Sequence, residues 1–278
     1  TPRPQSGESD YKWNWNAPLL ISPHNRERIF YAAERVFQSD DRGNSWRIIS
    51  PDLSRQLDRN QLAVMDRVWS VDAIAKNDST SMYGSVVGLS ESPLKAGLIF
   101  AGTDDGVISV TEDGGESWRS LDSFRGVPDM SLVEDLIASV HSAEMAYAEF
   151  DNHKQGDYKP YLYKTTDRGR SWRSISGNLP MRGSVHTVAE DHVDPNLLFA
   201  GTEFGLFFTQ DGGASWHSLK SNFPTIAVRD LEIQRRENDL IVGTFGRGVY
   251  ILDDYTPLRT PATDLSDHEA SLFAVKDT

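Results

Sequence analysis

One eight-residue pattern, Ser/Thr-x-Asp-x-Gly-x-Ser-Trp, occurs four times in this chain: Ser39 to Trp46, Thr111 to Trp118, Thr165 to Trp172 and Thr209 to Trp216. Such recurrence calls for a repeated structural unit, and each copy has the chemistry of a tight hairpin turn. The carboxylates of Asp41, Asp113, Asp167 and Asp211 accept hydrogen bonds from N–H groups of their own turn, while Gly43, Gly115, Gly169 and Gly213 supply positive φ. Trp46, Trp118, Trp172 and Trp216 each open the following strand, where a large ring packs between neighbouring sheets. The turn carboxylates are on this reading structural, not catalytic.

Reading outward from the turns gives the rest of the unit. Leu98-Ile-Phe-Ala-Gly-Thr103 and Leu197-Leu-Phe-Ala-Gly-Thr202 precede the second and fourth turns, each followed by a short polar loop and a second apolar run, Val107 to Val110 and Leu206 to Phe208. Short Val-, Ile- and Phe-rich runs bounded by Gly and Asp are strands, and their spacing suits four-stranded blades. The chain reads as all-β: a β-propeller of four-stranded antiparallel blades, about five in number, with a larger ring left open as an alternative to closure by five. The blades fall at 18–51, 83–122, 130–180, 184–224 and 226–254, the last without the turn motif, with a loop or insertion at 52–82. Residues 1–17 form a leading strand or linker, in which Tyr11, Trp13 and Trp15 alternate with polar residues, and 259–278 form a tail. Leu132, Val133, Leu136, Ile137 and Val140 have helical spacing, but their place as the first strand of a blade makes them β.

Composition narrows the function. With 28 Lys and Arg against 41 Asp and Glu the net charge is −13, which disfavours nucleic acid and anionic lipid as partners. No apolar run approaches the roughly 20 residues that a membrane-spanning helix needs. The absence of cysteine removes disulfides, thiolate metal sites and a Cys nucleophile. The histidines lack metal-ligand spacing, no Gly-rich phosphate loop leads into a helix, and no Gly-x-Ser-x-Gly elbow occurs, so neither metal nor cofactor is expected. Asn77-Asp-Ser79 is a formal glycosylation sequon.

These turns following Gly-Thr strands resemble the Asp-box (BNR) repeats of sialidases, tandem-propeller xyloglucanases and sortilin-type receptors. More specifically, Trp13-Asn-Trp-Asn-Ala-Pro18, Ile21-Ser-Pro-His24, Ser50-Pro-Asp-Leu53, Gly102-Thr-Asp-Asp-Gly106, Gly201-Thr-Glu-Phe-Gly205 and the run Gly243 to Asp254 resemble large bacterial exported proteins described as sortilin-like or glycosyl-hydrolase-like. The resemblance implies an extracytoplasmic location, periplasmic or secreted. It also implies further blades in a longer polypeptide or a larger complex.

In a four-stranded blade the loops between strands two and three share one face. That face collects Glu34, Asp104, Asp105, the loop with Asp151, His153 and Asp157, and Glu203, Phe204, Phe245 and Arg247. Carboxylates, aromatics and an arginine around a channel suit a glycan or peptide ligand, whereas the plain alternative is a set of solvated loops. A glycosidase needs two carboxyls at set separations, about 5–5.5 Å for retention and 6.5–9.5 Å for inversion. Asp104 and Asp105 are the candidates for acid or base, in a cleft that a second propeller would complete. A sialidase would call for a Tyr nucleophile and an arginine triad, but the chain has no Arg-Ile-Pro, and only Arg229 and Arg247 fall in the last blade. The sequence therefore favours a non-catalytic binding or assembly module, with a glycoside hydrolase as the rival.

Overall fold

The computed structural model describes residues 1–4, 6–76, 83–220, 222–261 and 272–273. The sequon at Asn77 and most of the tail lie outside them.

Five antiparallel sheets follow one another along the chain. The first holds β1 (Leu19–Ile21), β2 (Ile29–Ala32), β3 (Val36–Ser39) and β4 (Arg47–Ile48). The second holds β5 (Val86–Glu91), β6 (Ile99–Thr103), β7 (Ile108–Thr111) and β8 (Arg119–Leu121). The third holds β9 (Leu132–Ala138), β10 (Ala146–Asn152), β11 (Asp157–Thr165) and β12 (Arg173–Ser174). The fourth holds β13 (Val185–Glu190), β14 (Leu198–Thr202), β15 (Gly205–Thr209) and β16 (His217–Ser218). The fifth has three strands, β17 (Val228–Gln234), β18 (Asp239–Thr244) and β19 (Val249–Leu252). Each sheet runs in chain order, and the first strands β5, β9, β13 and β17 neighbour one another, as blades around an axis require. The fold is an all-β propeller.

Successive blades enclose four apolar layers. Phe30 and Ala32 meet Val86 and Leu89; Leu98 and Phe100 meet Val133 and Leu136; Tyr147 and Leu162 meet Val185 and Val188; Phe199 meets Val228 and Leu231. The four Ser/Thr-x-Asp-x-Gly-x-Ser-Trp turns repeat one network. In the second, the Thr111 hydroxyl donates to Asp113 at 2.7 Å, Asp113 also accepts from the Ser117 N–H at 2.9 Å, and the Gly115 N–H donates to Thr111 Oγ1 at 2.9 Å. Hydrogen bonds from Ser117 and Ser45 hold the carboxyls of Asp113 and Asp41 down at about 2. The Trp118 and Trp216 indole N–H groups reach back to the carbonyls of Ile49 and Ile175 in the preceding blade, both at 2.8 Å. The second and fourth turns thereby stitch their blades to the one before.

β9 is a strand, and a β-bulge explains its helix-like spacing. Val133 pairs with Phe150 and Asp135 with Glu149, which leaves Glu134 unpaired between them. The extra residue reverses the alternation, so Val133 and Leu136, three apart, both face the second blade. The leading segment differs from the strand read in the sequence. Residues 11–14 form no ladder; instead Trp13 stacks on Tyr31 and Phe37, and Tyr11 tilts over Phe37. Its alternation serves ring packing against the outward face of the first blade rather than strand pairing. Among the described residues of 52–76 the regular elements are one 3-10 turn, Arg59–Gln61, and a single bridge, Val64 to Arg67. This loop lies along the same face as the loops between second and third strands, where Arg59, Val64 and Lys76 share a hollow with Asp104 and Asp151.

Candidate functional site

The bulge in β9 recurs at the same register in β5, β13 and β17, where Val87, His186 and Arg229 are the unpaired residues. A bulge re-aims a side chain that regular alternation would bury or expose in turn. In three consecutive blades it aims Glu134, His186 and Arg229 at one another. His186 Nδ1 lies 3.1 Å from Glu134 Oε1, its Nε2 lies 2.9 Å from Glu203 Oε2, and Arg229 Nη1 approaches Nδ1 at 3.0 Å. Arg229 also pairs with Glu203 at 3.4 Å and sits over the Phe245 ring, 5.7 Å from its centroid.

The His186 ring is almost fully buried. Burial alone would disfavour its charge, but the hydrogen bonds and charge of Glu134, with Glu203, outweigh burial and raise its pKa. A proton on Nδ1 serves Glu134, and its loss frees the lone pair for the Arg229 guanidinium. Protonation of one imidazole thus decides which neighbour it binds.

Above this triplet opens a hollow of about 430 Å³ lined by His153, Tyr158, Arg182, Ser184, His186, Glu203, Phe204 and Arg229. Phe204 in the pocket wall is 54% exposed, and Phe245, against Arg229 at its edge, is 70% exposed, so apolar rings are offered to a ligand. Arg182 is exposed, and among the described residues no carboxylate pairs with it. A second hollow of about 680 Å³ adjoins it, lined by Asn14, Arg59, Val64, Lys76, Tyr83, Asp104, Leu132, Asn152 and Lys154 among others. The β10–β11 hairpin tip, with its 3-10 turn His153–Gln155, contributes to both and forms a ridge between them.

The sequence-selected residues fall into two groups. Glu203, Phe204 and His153 line the smaller hollow directly, and Phe245 borders it through Arg229. Asp151 supports it from below, accepting from the His153 N–H at 3.0 Å and the Ser184 hydroxyl at 3.1 Å and pairing with the His153 ring. Asp157 accepts from Tyr161 at 2.5 Å, and Arg247 sits exposed in the turn between β18 and β19. The others hold loops. Asp104 accepts from the N–H groups of Gly84 and Ser85, both at 2.8 Å, and from Asn14 at 3.1 Å, while burial raises its pKa. Asp105 is fully buried and accepts from the Arg55 N–H at 2.8 Å and the Thr103 hydroxyl at 2.5 Å. Glu34 accepts from the Lys12 N–H at 2.7 Å and ties down the leading segment. Glu134, His186, Arg182 and Tyr158 were not selected from sequence, and Arg229 entered only as one arginine of an incomplete triad. The signal is present: Leu132-Val-Glu-Asp135, Ser184-Val-His-Thr187 and Ala227-Val-Arg-Asp230 each place a charged or polar residue straight after the valine that packs on the preceding blade.

No family profile matches the sequence, and no curated protein does. Solved structures do match in shape. An ancestral GH74 enzyme aligns over 82% of this chain and 27% of its own length, with 14% identity and a TM-score of 0.60. The GH74 xyloglucanase of Xanthomonas campestris aligns over 88% of this chain and 37% of its own, with 20% identity and a TM-score of 0.60. The β-propeller domain of Myceliophteria thermophila Cps50 aligns over 94% and 69%, with 11% identity and a TM-score of 0.55. At these identities the likeness establishes the β-propeller fold. The chain spans roughly a third of the length of the two GH74 structures.

Proposed function

We propose that this chain is a binding module whose face of second-to-third-strand loops recognises an extended glycan or peptide bearing an acidic group. The observation that carries the proposal is the smaller hollow. There, among the described residues, Arg182 stands without a carboxylate partner near the exposed rings of Phe204 and Phe245, over the hydrogen-bonded Glu134–His186–Arg229 triplet. Exposed rings stack on sugar or side-chain faces, and an uncommitted guanidinium takes a carboxylate in two parallel hydrogen bonds. The adjoining larger hollow, across the His153–Gln155 ridge, leaves room for a ligand several units long. An extracytoplasmic location belongs to the same proposal and rests on the sequence resemblance.

A second reading, a glycoside hydrolase completed by another propeller, is favoured by one feature: Glu134 and Glu203 flank the same imidazole at the pocket floor. An oligogalacturonate and a neutral xylogluco-oligosaccharide of equal length, offered to the wild type and to Arg182→Ala and Phe204→Ala variants, separate the readings. The proposal expects the acidic oligosaccharide to bind in preference, with both variants weakening it about tenfold, the usual effect of losing one anchor. Equal affinity for both, or no effect of either substitution, contradicts it. Turnover that Glu203→Gln abolishes establishes the hydrolase.

A further inference from the structure

We infer that the ligand of this face carries acidic groups on both sides of the His153–Gln155 ridge, and that it is a glycan with a carboxylate on successive sugars. The inference rests on the reading that the loop face binds an acidic ligand, and it is carried by a local inversion of charge. The whole chain has a net charge of −13, yet its two adjoining hollows are lined by more cations than carboxylates. Arg59, Lys76 and Lys154 line the larger and Arg182 and Arg229 the smaller, against Asp104, Asp151 and Glu203. Those three carboxylates are committed within the protein. Asp104 holds the N–H groups of Gly84 and Ser85, buried Asp151 accepts from the His153 N–H and the Ser184 hydroxyl, and Glu203 faces His186 and Arg229. The lysines of the larger hollow are not neutralised in return. Lys76 donates to two main-chain carbonyls, those of Trp69 at 2.5 Å and Asn60 at 3.4 Å, which orient its ammonium without cancelling its charge. Lys154 is exposed, and among the described residues it has neither a hydrogen bond nor an ion pair.

The ridge fixes how these charges are divided. His153 and Lys154 are consecutive, but His153 lines the smaller hollow and Lys154 the larger. Their 3-10 turn is closed by the Gly156 N–H, which donates to the His153 carbonyl at 2.8 Å with Gly156 at φ +76°, and Asp151 anchors its start. A ligand with one acidic group satisfies Arg182 and leaves Lys154 and Lys76 over an uncharged segment. A ligand that repeats its acid across the ridge satisfies both sides, and the protein offers no competing carboxylate that must first be displaced. Rings accompany the cations: Tyr83 lines the larger hollow and Tyr158 the smaller, while Trp15, next to the lining residue Asn14, is 93% exposed. A uronic acid unit presents a stacking face and a carboxylate together, which is the pair of contacts that a ring beside a cation can take.

Isothermal titration of the 278-residue chain with digalacturonate, hexagalacturonate and a hexagalacturonate methyl-esterified on every residue but one tests the inference. The wild type should bind the fully acidic hexamer about tenfold more tightly than either other probe, with the gap closing as salt is raised. Lys154→Gln should weaken the fully acidic hexamer about threefold to fivefold, the worth of one exposed ion pair, and leave the single-acid hexamer unchanged. Arg182→Ala should weaken both hexamers. Equal affinity of the wild type for the two hexamers, or no effect of Lys154→Gln on the fully acidic one, overturns the inference. If Arg182→Ala still weakens both in that case, the reading beneath it survives. No binding of any probe, or binding that Arg182→Ala leaves unchanged, removes both. A hexaglutamate peptide that binds as tightly as hexagalacturonate overturns the assignment to a glycan.

Discussion

Replacing Glu149 changes how stability responds to pH. Glu149 stands in β10 at the register that carries Gly102 and Gly201 in the neighbouring blades, pointing into the apolar layer between the third and fourth blades. It is fully buried, and neither carboxyl oxygen has a hydrogen-bond partner among the described residues. Burial, reinforced by the like charges of Asp135 and Glu134, raises its pKa well above the ordinary 4.5. The folded protein thus keeps a proton that the unfolded chain gives up above about pH 4.5. Stability contributed by that proton is complete below this pH and is lost as pH rises toward the folded-state value. One such group gives a slope of about 1.4 kcal/mol per pH unit within the window. Glu149→Gln should flatten the dependence by that amount between pH 5 and 7, though Asp135, whose own pKa burial lifts to about 7, keeps a slope of the same sign. Glu149→Leu should in addition remove an unpaired buried carboxyl and raise stability at pH 7 by about 1–3 kcal/mol. Urea unfolding of the three proteins at half-unit pH steps measures both. Parallel curves for wild type and Glu149→Gln would refute the reasoning, because they would mean that the carboxyl titrates alike in both states.

Further expectations concern the blade junctions. Gly213→Val should cost about 3 kcal/mol or more in urea unfolding, because its Cβ would fall 2.7 Å from Ile175 Cβ and its φ is +98°. Trp216→Phe should cost about 1–2 kcal/mol by stranding the Ile175 carbonyl, whereas Trp172→Phe should cost less, because the Trp172 indole N–H is buried without an acceptor among the described residues. Glu112 gathers Arg168 and Arg170, each at 2.7 Å, and the hydrogen bond from Arg168 leads in holding its carboxyl at about 2. Its contribution is present above pH 4.5 and is lost as pH falls toward 2, so Glu112→Gln should weaken the acid dependence of the unfolding midpoint over that interval.

The repeat was legible because its signals are local. The eight-residue motif closes its hydrogen bonds within itself, so Asp113, Gly115 and Ser117 announce the turn without help from the rest of the fold. The loop face followed from topology, since each blade alternates its loops between two sides. What stayed hidden was set by register. A bulge is invisible to binary patterning until strand pairing is known, so Glu134, His186 and Arg229 read as ordinary strand residues although they meet across three blades. The same blindness concealed the roles of Asp104 and Asp105. Their place on the loop face suggested chemistry, and register shows what their carboxyls hold: Asp104 the N–H groups of Gly84 and Ser85, Asp105 that of Arg55.

The most direct test of the binding face is hydrogen exchange of the wild type with and without a saturating acidic oligosaccharide. The account predicts slowed exchange in the loops carrying His153 to Tyr158, Arg182 to Ser184 and Glu203 to Gly205, with the third-to-fourth-strand turns on the opposite face unchanged. Protection confined to the third-to-fourth-strand turns or to the outer strands, with these three loops unaffected, would contradict it.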